Sequence, residues 1–228
     1  MAWQWLTRLL LVLGGLVPAL CTHASLTAQR PGGPTPTASL VTRLTLPNAS
    51  FIANAYDPVG RLVSTTLKTS GQSVLNAHSY LYDLAGEPTR QTLKEGHFES
   101  YGYDQFGQLI SAIGKEANGT TLRAHEQFGY TYDAAWNLTA RTNNALVQTF
   151  TPNTLNQLAT GARSGTLTVA GDTTAAANSV TVNALAATVY ADKAFARAGF
   201  TPTNGVNTFT AIGTATDGVT KDTNVVTI

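Results

Sequence analysis

Short segments of alternating apolar and polar residues follow one another from about residue 51. In residues 62–67, Leu, Ser and Thr fall on one face and Val, Thr and Leu on the other, and residues 109–113 and 138–142 are comparable. A period of two with many β-branched residues is typical of β-strands. No long amphipathic helix pattern occurs between Arg43 and Thr160. The pattern therefore predicts an all-β chain of antiparallel hairpins.

The turns between these segments repeat a motif. A Tyr-Asp pair occurs four times, and Gly follows three residues after Asp in the first three copies. The motif residues are Tyr56, Asp57, Gly60, Tyr82, Asp83, Gly86, Tyr103, Asp104, Gly107, Tyr132 and Asp133. In the fourth copy, Trp136 stands where Gly is expected. Self-similarity at intervals of twenty to thirty residues is typical of repeat architectures.

Each motif residue has a structural explanation. Asp followed by Pro58 and then Gly60 is the preferred sequence of a type I turn, and Gly suits the left-handed position after it. Each copy therefore predicts a hairpin with a G1 bulge. We expect the tyrosine to stack on its counterpart in the next hairpin, since repeats gain their core by stacking neighbours. The motif is thus interpreted as structural rather than as a binding site.

The first copy, Tyr56-Asp57-x-x-Gly60-Arg61-Leu62, resembles the YD repeat of Rhs-type proteins. The resemblance covers about residues 51–160, although Glu87 and Gln108 replace the arginine in the next two copies. Residues 150–158 are similar to the family's Asn-x-Leu-Asn-Gln-Leu variant. The resemblance implies hairpins that spiral into a hollow β-shell, which often encloses a C-terminal toxin domain in polymorphic toxins. It supplies no catalytic residue for this chain, because the family's autoproteolytic core has no match here.

After Gly161 the motif stops, and short β-rich runs alternate with Asn, Asp and Gly turns. This spacing predicts a small antiparallel sandwich over residues 161–228, similar to a bacterial Ig-like domain. Its expected core residues are Val180, Val182, Phe195, Phe209, Ile212 and Val225. The strand pattern is still in progress at Ile228, so a truncated sandwich and a fragment of a longer gene are both expectations.

The N-terminal segment has the features of a targeting signal. An apolar run of residues 9–20 follows Arg8, and it is shorter than the roughly 20 residues that span a bilayer. We predict a signal peptide over 1–24, a Pro- and Gly-rich linker over 25–42 and the hairpin repeats over 43–160. A lipoprotein through Cys21 and a misassigned start remain alternatives. The prediction places the protein in the extracellular space or on the cell surface, without a transmembrane anchor after cleavage.

Several kinds of chemistry find little support in the composition. Charged residues make up 12% of the chain and the formal net charge is +1, without a clustered basic face, which disfavours nucleic acid as a partner. Cys21 is the only cysteine, so neither a disulfide framework nor a thiolate zinc site is expected. His78, His97 and His125 lack metal-ligand spacing and are expected at the solvated surface. We predict no cofactor and no metal.

The sequence thus leaves three functional hypotheses. The first is a non-enzymatic, secreted or cell-surface structural repeat protein that resembles part of an Rhs shell, with the remainder of such a shell as its partner. The second is a carbohydrate-binding or adhesion module, in which exposed tyrosines and polar turns hold a cell-wall glycan. The third is a gene fragment without a function of its own.

Overall fold

The computed structural model describes residues 25–29 and 40–228, and within them every regular element is a β-strand. Eighteen strands form two antiparallel sheets, one of them strongly curled as a half-barrel. The prediction of an all-β, antiparallel fold is confirmed. The predicted signal peptide lies outside the described residues.

The first sheet contains twelve strands in sequence order, so each strand pairs only with its neighbours in the chain. Its strands are β1 (Ser25–Gln29), β2 (Leu40–Thr45), β3 (Phe51–Tyr56), β4 (Leu62–Lys68), β5 (Val74–Tyr82), β6 (Pro88–Leu93), β7 (Phe98–Tyr103), β8 (Leu109–Lys115), β9 (Leu122–Tyr132), β10 (Leu138–Asn143), β11 (Leu146–Pro152) and β12 (Leu158–Gly165). Such a meander needs only short connections, which is why local turn chemistry can specify it.

The connections of this sheet lie alternately at two edges. The Tyr-Asp edge contains the turns at 57–60, 83–86, 104–107, 133–136 and 153–156, and the opposite edge contains those at 46–49, 69–72, 93–96, 116–119 and 144–145. In a representative turn, Asp57 N donates to Arg61 O at 2.9 Å and Gly60 N donates to Asp57 O at 3.0 Å. Gly60 has φ +86°, which is the left-handed position of a type I turn with a G1 bulge.

The first sheet has few buried apolar side chains. Phe51, Phe98 and Ala112 are its buried hydrophobic residues in the described part of the chain. The guanidinium groups of Arg43 and Arg90 lie 3.5 Å from the ring centroids of Phe51 and Phe98, respectively. Most other side chains on these strands are half-buried. Hydrogen bonds and cross-strand side-chain pairs therefore contribute much of the stability of this sheet.

The second sheet has six strands in the order β13-β16-β15-β14-β17-β18. The strands are β13 (Leu167–Asp172), β14 (Ala177–Val182), β15 (Leu185–Val189), β16 (Ala194–Phe200), β17 (Thr208–Ala215) and β18 (Lys221–Thr227). Val180, Val182, Phe195 and Phe209 form its buried cluster, as predicted. Ile212 is half-buried. Val225 was wrongly assigned to the core, because β18 is an edge strand that leaves this side chain 55% exposed.

The strand boundaries do not coincide with the division made from sequence. Strand β12 crosses the predicted boundary at residues 160 and 161, because its pairing with β11 continues to Gly165. Strand β1 lies inside the predicted linker, where its backbone pairs with the edge of β2. The Ig-like assignment of the second sheet stays a prediction.

Candidate functional site

At the Tyr-Asp edge, each aspartate is engaged by its own turn. The Oδ1 atom of Asp57 accepts hydrogen bonds from the N–H groups of Val59 at 3.0 Å and Arg61 at 2.9 Å. Asp104 and Asp133 accept the same pair of amides in their turns. Asn153 does so in a fifth turn that lacks the Tyr-Asp pair. These side chains therefore act as turn formers that satisfy backbone donors.

The repeated tyrosines join neighbouring strands through their hydroxyl groups. The four bonds run from Tyr56 Oη to Val41 O at 3.0 Å, Tyr82 Oη to Leu62 O at 2.7 Å, Tyr103 Oη to Pro88 O at 2.8 Å and Tyr132 Oη to Leu109 O at 3.0 Å. The aromatic pairs of the described residues join other rings, not two repeat tyrosines. The expected tyrosine stacking is thus replaced by a cross-strand hydrogen bond.

In the first and fourth Tyr-Asp turns, the residue after the left-handed position links its turn to the next one. Arg61 forms an ion pair with Asp57, with Nε 2.6 Å from Oδ2, and its Nη1 donates to Asp83 O at 3.1 Å. In the fourth turn, Asn137 Nδ2 lies 2.9 Å from Asp133 Oδ2 and 3.1 Å from Asn156 Oδ1. Both residues connect turns that are otherwise joined only through strands.

Glu87 occupies this linking position in the second turn, and it is acidic. Loss of hydration, together with the carboxylates of Asp83 and Asp104, raises the pKa of Glu87. In the first turn, by contrast, the hydrogen bond and charge of Arg61 outweigh the loss of hydration and lower the pKa of Asp57. The first turn pairs an aspartate with an arginine, whereas the second and third turns carry acidic side chains and no basic one.

Each turn of the Tyr-Asp edge exposes one large apolar side chain. We call them the crest: Val59, Leu84, Phe106, Trp136 and Leu155, one from each of five successive turns. All five are at least 62% exposed. The rings of Phe106 and Trp136, on neighbouring turns, lie 6.2 Å apart. The crest is a row of apolar groups above a polar, hydrogen-bonded base.

Trp136 combines exposure with an unfavourable backbone. Its φ is +68°, in the left-handed region where a residue with a Cβ is disfavoured and the other three Tyr-Asp turns use Gly. Backbone strain that is kept at an exposed aromatic residue motivates a functional hypothesis for that residue.

At the opposite edge, a charged cluster joins the two sheets. We call it the junction: Glu116, Arg123, Glu126 and His97 from the first sheet, with Tyr190 and Asp192 from the turn between β15 and β16. Arg123 is 1% exposed. Its three nitrogen atoms lie 2.6 Å from Glu116 Oε1, 2.9 Å from Glu126 Oε2 and 2.8 Å from Asp192 Oδ2. A buried guanidinium with three carboxylates requires all its partners in place.

Tyr190 completes the junction. Its hydroxyl oxygen accepts from Ala124 N at 2.8 Å, and Arg123 lies 4.6 Å from its ring centroid. His97 Nε2 lies 3.6 Å from Asp192 Oδ2. The second sheet is thereby fixed to the hairpins that β6–β9 form at this edge.

The electrostatics of the junction favour the charged forms. Burial acts to raise the pKa of Asp192, but hydrogen bonds from Arg123 and Ala194 and the charges of Arg123 and His97 outweigh it and lower that pKa. The pKa of Glu126 is lowered in the same way, with the hydrogen bond from His125 and the pairing with Arg123 overcoming burial. The bonds to Asp192 and Glu116 likewise raise the pKa of Arg123 despite its burial.

Sequence reasoning did not identify the junction, and it placed His97 incorrectly. His97 is 5% exposed rather than solvated, because the turn that carries it packs against Asp192 of the second sheet. One pattern was available in the sequence: Thr-Arg-x-Thr-Leu, four residues and Phe occur at 42–51 and again at 89–98. This repeated pattern contains the residues of the two arginine–phenylalanine pairs beside opposite-edge turns. Arg123 lies outside both copies, so the pattern could not have identified it.

The second sheet also holds an apolar cleft of about 590 Å³ between β13 and β18, above Val180, Phe195 and Phe209. Within residues 25–29 and 40–228, no three His, Cys, Asp or Glu side chains are grouped as metal ligands would be. A membrane-spanning helix is likewise not found among those residues.

Neither a protein-family model nor a curated protein matches the chain. Among solved structures it is similar to a crystal structure of TcdB2-TccC3-Cdc42, with 17% identity, a TM-score of 0.49 and coverage of 81% of this chain and 9% of the other. The chain is also similar to a structure of the Photorhabdus luminescens Tc holotoxin pore, with 16% identity and a TM-score of 0.49. This match covers 83% of this chain and 8% of the other. The chain spans less than a tenth of the length of these structures. Values this low identify no family.

Proposed function

We propose that this chain is a non-enzymatic structural repeat protein. Its first sheet would form part of the wall of a hollow β-shell that resembles an Rhs shell. The observation that carries the proposal is that the motif side chains are engaged internally: the aspartates bind turn amides and the tyrosine hydroxyls bind neighbouring carbonyls. A motif engaged in this way builds surface and leaves no reactive group. The motif's resemblance to the YD repeat supports the same role.

The proposal includes a cellular setting and an order of domains. Residues 1–24 direct secretion, residues 43–160 form the wall, and the second sheet follows as an Ig-like module. The protein then acts outside the cell or at its surface, alongside the remainder of a shell. N-terminal sequencing of the periplasmic product from a bacterial host tests the first step, and recovery of intact Met1 from the cytosol alone would contradict it.

A second candidate function, glycan binding, is favoured by one observation. Phe106 and Trp136 form an exposed ring pair, and Trp136 retains a left-handed backbone that glycine would adopt more easily. Aromatic faces with polar groups beside them suit the apolar faces of sugars. The repeat tyrosines, which the sequence offered for this role, have their hydroxyls engaged within the sheet.

One experiment separates the two functions. The full chain and its Tyr82→Phe, Tyr103→Phe and Trp136→Gly variants are tested on a cell-wall glycan array and in urea unfolding. The structural role predicts no glycan binding and lower stability for both Tyr→Phe variants. Binding that Trp136→Gly abolishes while the Tyr→Phe variants retain it would favour the glycan module instead.

A further inference from the structure

The crest forms one extended apolar row. Successive turns of a meander are two strands apart, about 10 Å, so the five turns span roughly 40 Å. The row runs from Val59 through Leu84, whose side chain is fully exposed, to Leu155. A row of five exposed apolar side chains, two of them with their rings 6.2 Å apart, is unusual on a soluble protein and marks an interaction site.

The charge of the Tyr-Asp edge narrows the choice of partner. Its five turn segments (57–61, 83–87, 104–108, 133–137 and 153–157) contain five acidic side chains and one basic side chain, a formal net charge of −4. Two such edges would repel each other, because like charges face each other across the contact. The crest therefore suits a partner with apolar and basic groups rather than another crest.

The opposite edge of the same chain has those properties. Its turn segments (46–50, 68–73, 93–97, 115–121 and 143–145) carry three lysines and two glutamates, a formal net charge of +1. Val74, Leu75 and Leu122 are exposed at this edge by 41–52%. The junction engages residues 97, 116 and 123, which leaves the β4–β5 turn with Lys68, Val74 and Leu75 outside it.

We propose that the crest of one chain binds the opposite edge of a second copy, around Lys68, Val74 and Leu75. This inference rests on the proposed structural role and names the partner of that surface. The two contacting patches differ, so the contact is heterologous and each added copy presents a new crest. The arrangement is head-to-tail, and its products grow with concentration rather than stopping at a dimer.

Sedimentation velocity on the purified full chain tests growth first. We expect species larger than dimers at high protein concentration. We also expect association to weaken several-fold between 0.05 and 0.5 M NaCl, since exposed opposite charges are screened. Far-UV circular dichroism and urea unfolding accompany each sample to establish that the sheet is intact. A folded chain that stays monomeric at all concentrations overturns this inference and leaves the structural role standing.

A pair of blocked variants tests the head-to-tail arrangement. Leu84→Ser with Phe106→Ser blocks the crest, and Lys68→Glu with Leu75→Ser blocks the opposite edge. Each variant alone should associate at least about tenfold more weakly than the parent chain, because central apolar contacts dominate such interfaces. An equimolar mixture should form 1:1 complexes and stop there, since each variant retains one different patch.

Matched controls lie in the connections of the second sheet, where Val206 and Val219 are exposed to a degree similar to that of the crest residues. Val206→Ser with Val219→Ser should leave association unchanged. Dimers formed by the opposite-edge variant alone would indicate a symmetric crest-to-crest contact and contradict the proposal. Association that persists in both blocked variants, or is lost in the control, would also contradict it.

Discussion

Turns with the same backbone hydrogen bonds occur at both edges of the first sheet, but the two edges differ in what their side chains contact. At the Tyr-Asp edge, the first residue of each turn is engaged by that turn, and one large apolar side chain per turn is left exposed. At the opposite edge, the β6–β7 and β8–β9 hairpins hold buried polar and charged side chains that bind the second sheet. Local contacts therefore suffice to form a hairpin, whereas docking another element requires long-range partners.

The largest effect is expected from breaking the junction. Arg123→Met removes the guanidinium and leaves the carboxylates of Glu116, Glu126 and Asp192 without their cation, which should lower the free energy of unfolding by about 3–5 kcal/mol. Urea unfolding measures the loss. Arg163→Met, on exposed strand β12, is the control and should change stability by less than about 0.5 kcal/mol. If the two substitutions lowered the free energy of unfolding equally, the junction would not be a special source of stability at the opposite edge.

The same junction should fail in acid. The pKa values of Asp192 and Glu126 are lowered in the folded chain, from ordinary values of 3.8 and 4.5. Groups of this kind stabilise the fold above their ordinary pKa, and that contribution is lost as pH falls through the folded value. Stability measured by urea unfolding from pH 6 to pH 2 should therefore fall at the acidic end. Arg123→Met should flatten this part of the curve, and an unchanged slope would exclude the junction as its source.

At the Tyr-Asp edge, a smaller effect is expected from the tyrosine hydroxyls. Tyr132→Phe removes the hydrogen bond to Leu109 O and retains the ring, so it should cost about 1 kcal/mol in urea unfolding. Tyr130→Phe, two residues earlier on β9, is the matched control, because no such cross-strand bond is found for its hydroxyl in the described residues. If both variants matched the parent chain, ring packing rather than hydrogen bonding would explain the repeated tyrosine.

A gain in stability is expected at the fourth turn. Trp136→Gly relieves the left-handed backbone at φ +68° and should stabilise the chain by about 0.5–1 kcal/mol in urea unfolding. Asn156→Gly, at φ +58°, is the comparison and should gain less, since asparagine tolerates this conformation. Destabilisation by Trp136→Gly would show that the ring pair with Phe106 contributes more than the strain costs.

The smallest effect concerns Glu87. Glu87→Gln removes a carboxylate that lies near Asp83 and Asp104, so the melting temperature should rise slightly at pH 7. The pKa of Glu87 is raised, which means that its charge disfavours the fold above that pKa and that the gain should vanish in acid. The gain should also shrink in 0.5 M NaCl, since salt screens exposed charges. A gain that persists in acid would point to another cause.

The sequence predicts what is local in this molecule. Asp57, Pro58 and Gly60 specify a turn within four residues, so the hairpins and their antiparallel order follow from the chain itself. The contacts of Arg123 cannot be predicted in this way, because Asp192 lies 69 positions away and an arginine on a strand is ordinarily exposed. Tyrosine stacking was a reasonable expectation from repetition, but the hydroxyl, not the ring face, meets the neighbouring strand.

The hydroxyl of each of the four repeat tyrosines reaches a carbonyl on the adjacent strand and none farther away. Each of the four Tyr-Asp hairpins thus donates to the strand before it, and the first three also supply the acceptor for the hairpin that follows. A gene that duplicates or deletes a hairpin unit at the Tyr-Asp edge keeps this bond complete in all remaining units. The length of such a sheet can change in evolution without redesign, except where the junction fixes particular hairpins to the second sheet.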